Sequence, residues 1–125
     1  MNLFEFEYSG SEDDDDFDID SVNNFVKFLN NQHQMKRLTF FMDKVVFWDP
    51  IMKMTQLEFL ELKISSKLSN KQILTILKNH TNTSVKFLKI IQKFNDSSFK
   101  LCQTIAEYFS GVVHLDLRWF FFLII

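Results

Sequence analysis

One cysteine, one proline and two glycines stand in 125 residues, and each scarcity closes a class of function. A lone Cys102 provides no internal disulfide framework, which fits a reducing compartment better than secretion. Gly10 and Gly111 cannot form a glycine-rich phosphate loop. No long apolar run exists: Trp119-Phe-Phe-Phe-Leu-Ile-Ile125 has seven residues, against the roughly 20 a membrane helix needs. Glu5 and Glu7 interrupt the start, where a secretion signal needs a basic region and an apolar core. Charge of one sign is also missing. Sixteen acidic residues face 14 basic ones, net -2, and no segment collects Lys or Arg, so a nucleic-acid footprint is not expected. His33, His80 and His114 lie far apart, without Cys, Asp or Glu at metal-ligand spacing. Cys102 falls on the apolar stripe of a helical segment and reads as a buried thiol rather than a nucleophile. The chain is therefore expected to be no enzyme and to hold no metal or cofactor.

What is present is hydrophobic and periodic. Apolar residues make up 46% and phenylalanine alone contributes 16, enough for one domain burying roughly two thirds of its unfolded surface. Three runs share a pattern with apolar residues first, fourth and sixth: Leu57-Glu-Phe-Leu60-Glu-Leu62, Val85-Lys-Phe-Leu88-Lys-Ile90 and Val112-Val-His-Leu115-Asp-Leu117. They begin 28 and 27 residues apart. Met35-Lys-Arg-Leu38-Thr-Phe40 is a fourth copy, and Met1-Asn-Leu-Phe4-Glu-Phe6 a weaker fifth. A fixed period in this range signals stacked units that cannot bury their apolar faces alone.

Between the runs the period becomes helical. Val22, Phe25, Val26 and Leu29 fall on one stripe, with Asp20 and Ser21 as capping oxygens. Ser69-Asn-Lys-Gln72 is a capping box opening a helix with Ile73, Leu74, Ile76 and Leu77. Asp96-Ser-Ser precedes Phe99, Cys102, Ile105, Ala106 and Phe109, and Gly111 reads as the left-handed stop. From each of these last two caps to the next strand run is 16 residues. Met35 to Leu57 is shorter, and Pro50 would break a helix there. One helical turn or a loop is expected in 42–54, with Val45, Val46, Phe47, Ile51 and Met54 in the core. His33 and His80 follow helices and read as caps for the last carbonyls.

Residues 9–20 form an acidic insertion, a self-repelling solvated loop. It lacks the glycine and distal glutamate of a calcium-binding EF-hand. Ser9 and Ser11 precede acids in the manner an acidophilic kinase prefers. Residues 119–125 are an apolar tail that reads first as the continuation of a buried strand or as a chain end that is no natural boundary, and alternatively as the start of a membrane span.

In such a run the fourth and sixth side chains face the core, and the third, fifth and seventh face outward together. Parallel pairing of successive units would align these into columns. The third-position column is Leu3, Arg37, Phe59, Phe87 and His114. The fifth is Glu5, Thr39, Glu61, Lys89 and Asp116. The seventh is Glu7, Phe41, Lys63, Ile91 and Arg118.

On these motifs residues 1–118 resemble the leucine-rich repeats, specifically the ribonuclease-inhibitor-like class with a strand and a helix in each unit of about 28 residues. The resemblance implies an α/β solenoid of right-handed strand-helix units with a parallel sheet, here a truncated array of four to five repeats. The family's ninth-position Asn or Cys, which satisfies loop backbone, is replaced by Ser9, Asp43, Ser65, Lys93 and Phe120. Ser and Asp have the chemistry for part of that task. The divergent repeats are similar to those of intracellular F-box/leucine-rich-repeat proteins, although no F-box is recognisable. That likeness implies a protein-protein interaction module of a ubiquitin-ligase substrate receptor, cytoplasmic or nuclear, whose adaptor contact would lie in a segment not present here. Another protein is the expected partner, with no nucleic acid and no membrane. The expected binding face is Arg37, Phe59, Phe87 and His114 with Glu61, Lys89 and Asp116 beside them, because adjacent exposed aromatics with arginine are common interface anchors. A competing expectation is an extracellular or membrane-receptor repeat domain, for which the sequons at Asn79, Asn82 and Asn95 would carry glycans.

Overall fold

The computed structural model describes residues 3–9, 18–65, 67–78, 80–93 and 98–120, with backbone alone at 93, 98–102, 119 and 120. Five strands make one sheet in chain order: β1 (Glu5–Tyr8), β2 (Arg37–Met42), β3 (Phe59–Ile64), β4 (Phe87–Lys93) and β5 (His114–Phe120). Every neighbouring pair is parallel. The connections carry α1 (Ile19–Asn30), α2 (Trp48–Met52), α3 (Asn70–Leu77) and α4 (Ser98–Glu107). The chain is thus α/β, with a strand-helix alternation that parallel pairing requires. The fourth- and sixth-position side chains Leu38, Phe40, Leu60, Leu62, Leu88 and Ile90 are buried. Leu29 of α1, Ile73 and Leu77 of α3 and Ile105 of α4 complete the same core.

The third-position register is as the spacing predicts for four strands: Arg37 pairs with Phe59, Phe59 with Phe87, and Phe87 with His114. The first strand differs. Glu5 lies opposite Arg37 and Tyr8 opposite Phe40, so the first unit runs Leu3, Phe6, Tyr8 rather than Met1, Phe4, Phe6. Leu3 and Glu5 therefore each sit two places from their expected column positions. A one-residue slip would turn every side chain over, but a two-residue slip preserves the alternation and is invisible to it. Aromatic packing decides the choice. Tyr8 lies 4.9 Å from Phe40 and 5.0 Å from Phe25, and its hydroxyl donates to Asp43 Oδ2 at 3.3 Å. Phe4, which the earlier register would bury, is 59% exposed.

α1 starts earlier than its expected cap. Asp18 accepts the Ser21 N–H at 2.7 Å and is the N-cap, and this charge-assisted bond to the Ser21 backbone lowers its pKa. Residues 19 and 20 thus belong to the helix, while 10–17 lie outside the described residues. The short second unit is a 3-10 turn over Val45–Phe47 leading into α2. Pro50 sits in the first turn of α2, where its missing N–H leaves no hydrogen bond unmade. Phe47, Ile51 and Met54 are buried as expected, but Val46 is 45% exposed and Trp48 is fully buried in its place.

The capping box of α3 forms both bonds: the Gln72 N–H donates to Ser69 Oγ at 3.1 Å, and the Ser69 N–H to Gln72 Oε1 at 3.0 Å. Ser69→Ala is expected to cost about 1 kcal/mol, measured as a shift of the urea midpoint; no shift would mean the helix is held by packing alone. At the far end of α3, His80 bridges two elements. Its Nδ1 is 2.8 Å from the Ile76 carbonyl and its Nε2 is 2.6 Å from Asp49 Oδ1. Burial raises the Asp49 pKa, but the Lys53 and His80 contacts outweigh it and the net direction is downward. His80 thus caps as expected. His33 is exposed, and the last carbonyls of α1 meet the Asn31 N–H instead.

Two loop residues have roles different from those expected. Gly111 has no positive φ, so it is not a left-handed stop. A Cβ there would lie 2.2 Å from the Thr83 carbonyl oxygen, and close backbone approach is what requires glycine. Asn82 is 3% exposed. Its Oδ1 accepts the Ser84 and Val85 N–H groups at 2.9 and 3.0 Å, and its Nδ2 donates to the Met52 and Met54 carbonyls at 3.2 and 3.3 Å. That amide is fully engaged and cannot accept a glycan in the folded chain; Asn79 and Asn95 lie outside the described residues. Of the ninth-position residues, Ser65 is buried and accepts the Lys67 N–H at 3.1 Å, and Asp43 receives Tyr8. The side chains of Lys93, Phe120, Phe99 and Cys102, the Asp96 cap and residues 121–125 fall outside the described residues. β5 continues two residues into the apolar tail, to Phe120.

Candidate protein-binding face

The sheet face opposite the helices carries the odd positions, and the register brings the expected residues side by side. The Arg37 guanidinium carbon lies 4.7 Å from the Phe59 ring centroid. Phe59 and Phe87 are 6.4 Å apart centroid to centroid, and Phe87 and His114 5.8 Å. Four strands thus contribute one rung each to a continuous row. Neighbouring strands lie roughly 4.8 Å apart, so flat side chains at equivalent positions meet without any further device. Phe87 is 46% exposed, Arg37 and His114 are exposed and Phe59 is half-buried.

The fifth-position row pairs internally. Lys89 Nζ is 3.1 Å from Glu61 Oε1 across β3 and β4, and Arg118 Nε is 3.2 Å from Asp116 Oδ2 within β5. Such pairs stabilise weakly, by up to about 1 kcal/mol. Their effect here is to neutralise this side of the aromatic row. At the seventh position Phe41 is 3% exposed with Lys63 Nζ 6.0 Å from its ring centroid, so the accessible aromatic surface stops short of it.

On the other side of the row is a column that alternation does not place on this face. At the start of each strand one carbonyl accepts two successive N–H groups. Phe4 O takes Lys36 and Arg37 (2.8 and 3.0 Å), Lys36 O takes Glu58 and Phe59 (2.9 and 3.0 Å), and Glu58 O takes Lys86 and Phe87 (2.8 and 3.0 Å). Two donors on one acceptor mark a bulge-like bend. Second-position and third-position residues consequently open onto one groove of about 660 Å³, lined by Lys36, Arg37, Glu58, Phe59, Lys86 and Phe87. The sequence signal for this column was the charge at Lys36, Glu58 and Lys86, which an assumption of strict alternation assigns to the other face.

Among the described residues no three His, Cys, Asp or Glu side chains gather within reach of a metal. No helix among them is long and apolar enough to cross a membrane. The class of protein defined here is an α/β fold with an all-parallel sheet, one face of which carries a cation-aromatic row that no described helix covers. Comparison with protein-family models, with curated proteins and with solved structures finds no match.

Proposed function

We propose that the chain is a protein-protein interaction module made of leucine-rich-repeat-like units, a solenoid segment of an intracellular substrate receptor of the F-box type. Its adaptor contact would be made by a segment outside these residues. The observation that carries the reading is the unbroken row Arg37, Phe59, Phe87 and His114, aligned across four strands on a sheet face that no helix among the described residues covers. An arginine stacked on an aromatic is already ordered, so little side-chain entropy remains to be lost when a partner covers it. Glu61, Lys89 and Asp116 flank the row with charges that fix orientation more than affinity.

The test is Phe59→Ser with Phe87→Ser. Each anchor is worth about 2 kcal/mol or more when buried by a partner, so the double variant is expected to bind at least a hundredfold more weakly. Quantitative affinity capture from cell extract, wild type against variant, provides the candidate partners, and titration with each purified candidate provides the ratio. A folded double variant that retains the same proteins at the same affinity overturns the assignment of this face.

A further inference from the structure

Seven of the chain's 16 acidic residues lie between positions 12 and 20, so nine acids face 14 basic residues in the remainder. Part of that excess lies in the groove at the strand starts. Lys36, Arg37 and Lys86 line it against a single carboxylate, Glu58. Among the described residues none of these four enters an ion pair, whereas Glu61, Lys89, Asp116 and Arg118 on the same face are all paired. Within the groove the unspent charge is therefore cationic and sits beside the exposed Phe87 ring, while the exposed carboxylates of Glu5 and Glu7 on β1 lie beyond Arg37 on the same face.

We propose that this groove takes an acidic segment of a partner protein, with its carboxylates on Lys36, Arg37 and Lys86 and an aromatic side chain against Phe59 and Phe87. The inference rests on the protein-binding reading above and names the chemistry of the partner at that face. Charge complementarity selects the carboxylates, and desolvation of the two rings selects the aromatic. Glu58 stands between the two lysine-bearing strands, with Glu61 and Asp116 in the row beyond. A peptide can leave a gap in its charges opposite these carboxylates. A nucleic-acid strand carries a phosphate at every nucleotide and meets repulsion there.

The experiment uses the full chain and fluorescence anisotropy of a labelled decapeptide alternating glutamate with phenylalanine. Wild type is expected to bind it, with affinity falling several-fold between 50 and 300 mM NaCl as the charges are screened. Lys36→Glu with Lys86→Glu is expected to weaken binding at least tenfold, as is serine for phenylalanine in the peptide. Both lysines are exposed, so the variant should keep its circular dichroism; Lys36→Gln with Lys86→Gln is the milder substitute. No binding to wild type, or equal binding by the folded lysine variants, overturns the proposal. So does equal or tighter binding of a lysine-phenylalanine decapeptide or of labelled oligo(dT). If captured partners are lost by the Phe59 and Phe87 variant but kept by the lysine variants, the face stands and its acidic chemistry falls. If neither variant loses them, both readings fall.

Discussion

Replacing Asn82 with leucine lowers the free energy of unfolding by about 3 kcal/mol, read as a lower urea midpoint at unchanged slope. Leucine keeps the branched shape of asparagine without its polar atoms but is the bulkier side chain, so no cavity opens and crowding adds to the lost polar contacts. The Ser84 and Val85 N–H groups lose their acceptor and the Met52 carbonyl loses its donor. Each buried orphan costs roughly 1–3 kcal/mol, reduced where water can enter. The Met54 carbonyl keeps the Ser84 hydroxyl at 2.9 Å, which holds the estimate at the lower end. Backbone pairing of Asn82 with Tyr108 and Ser110, at 2.9 and 3.1 Å, is unaffected by the substitution. A change below 1 kcal/mol would show that this backbone bridge holds the turn by itself.

Gly111→Ala is expected to destabilise by a comparable amount, about 3 kcal/mol, the upper part of the usual range for forcing an extra methyl into packed space. The opposing effect is known in sign: alanine restricts the unfolded chain and, where the backbone tolerates it, stabilises by about 0.4–1 kcal/mol. Since Gly111 has no positive φ, nothing in its own backbone forbids alanine. Space decides instead. The new Cβ would stand 2.2 Å from the Thr83 carbonyl oxygen and 3.0 Å from its carbon. A carbonyl cannot rotate aside as a side chain can, so the loops before β4 and β5 must separate. Thermal unfolding of the variant checks this; a melting temperature at or above wild type would mean the two loops part freely.

How much of this was legible follows from the kind of signal each feature leaves. The parallel register of β2 to β5 is written in the spacing of Leu38, Leu60, Leu88 and Leu115, and the row Arg37 to His114 follows from it. The Ser69 and Gln72 pair announces itself through three-residue spacing and chemistry. Alternation is blind to even slips, so the first strand lies two places from where spacing puts it, and the packing of Tyr8 against Phe25 and Phe40 selects the register. Gly111 and Asn82 owe their roles to Thr83, Met52 and Met54, partners across a loop that no local pattern identifies. Val46 and Trp48 exchanged places because a 3-10 turn running into a helix has neither strand nor helix periodicity. Strict alternation puts Lys36 and Lys86 on the other face, whereas a shared carbonyl acceptor bends the chain and opens them onto this one.

Among the described residues each strand is hydrogen-bonded in the sheet only to the strands before and after it in the chain, and this has a consequence for local opening. Leu60 in the middle strand is fully buried, whereas Leu115 at the equivalent place in β5 is 44% exposed. Protection against amide hydrogen exchange should therefore peak in β3 and decline toward β1 and β5, since the outer strands can detach without disturbing the centre. The rings of Phe59 and Phe87 would then ride on the slowest-exchanging part of the sheet, while His114 rides on a strand that opens more often.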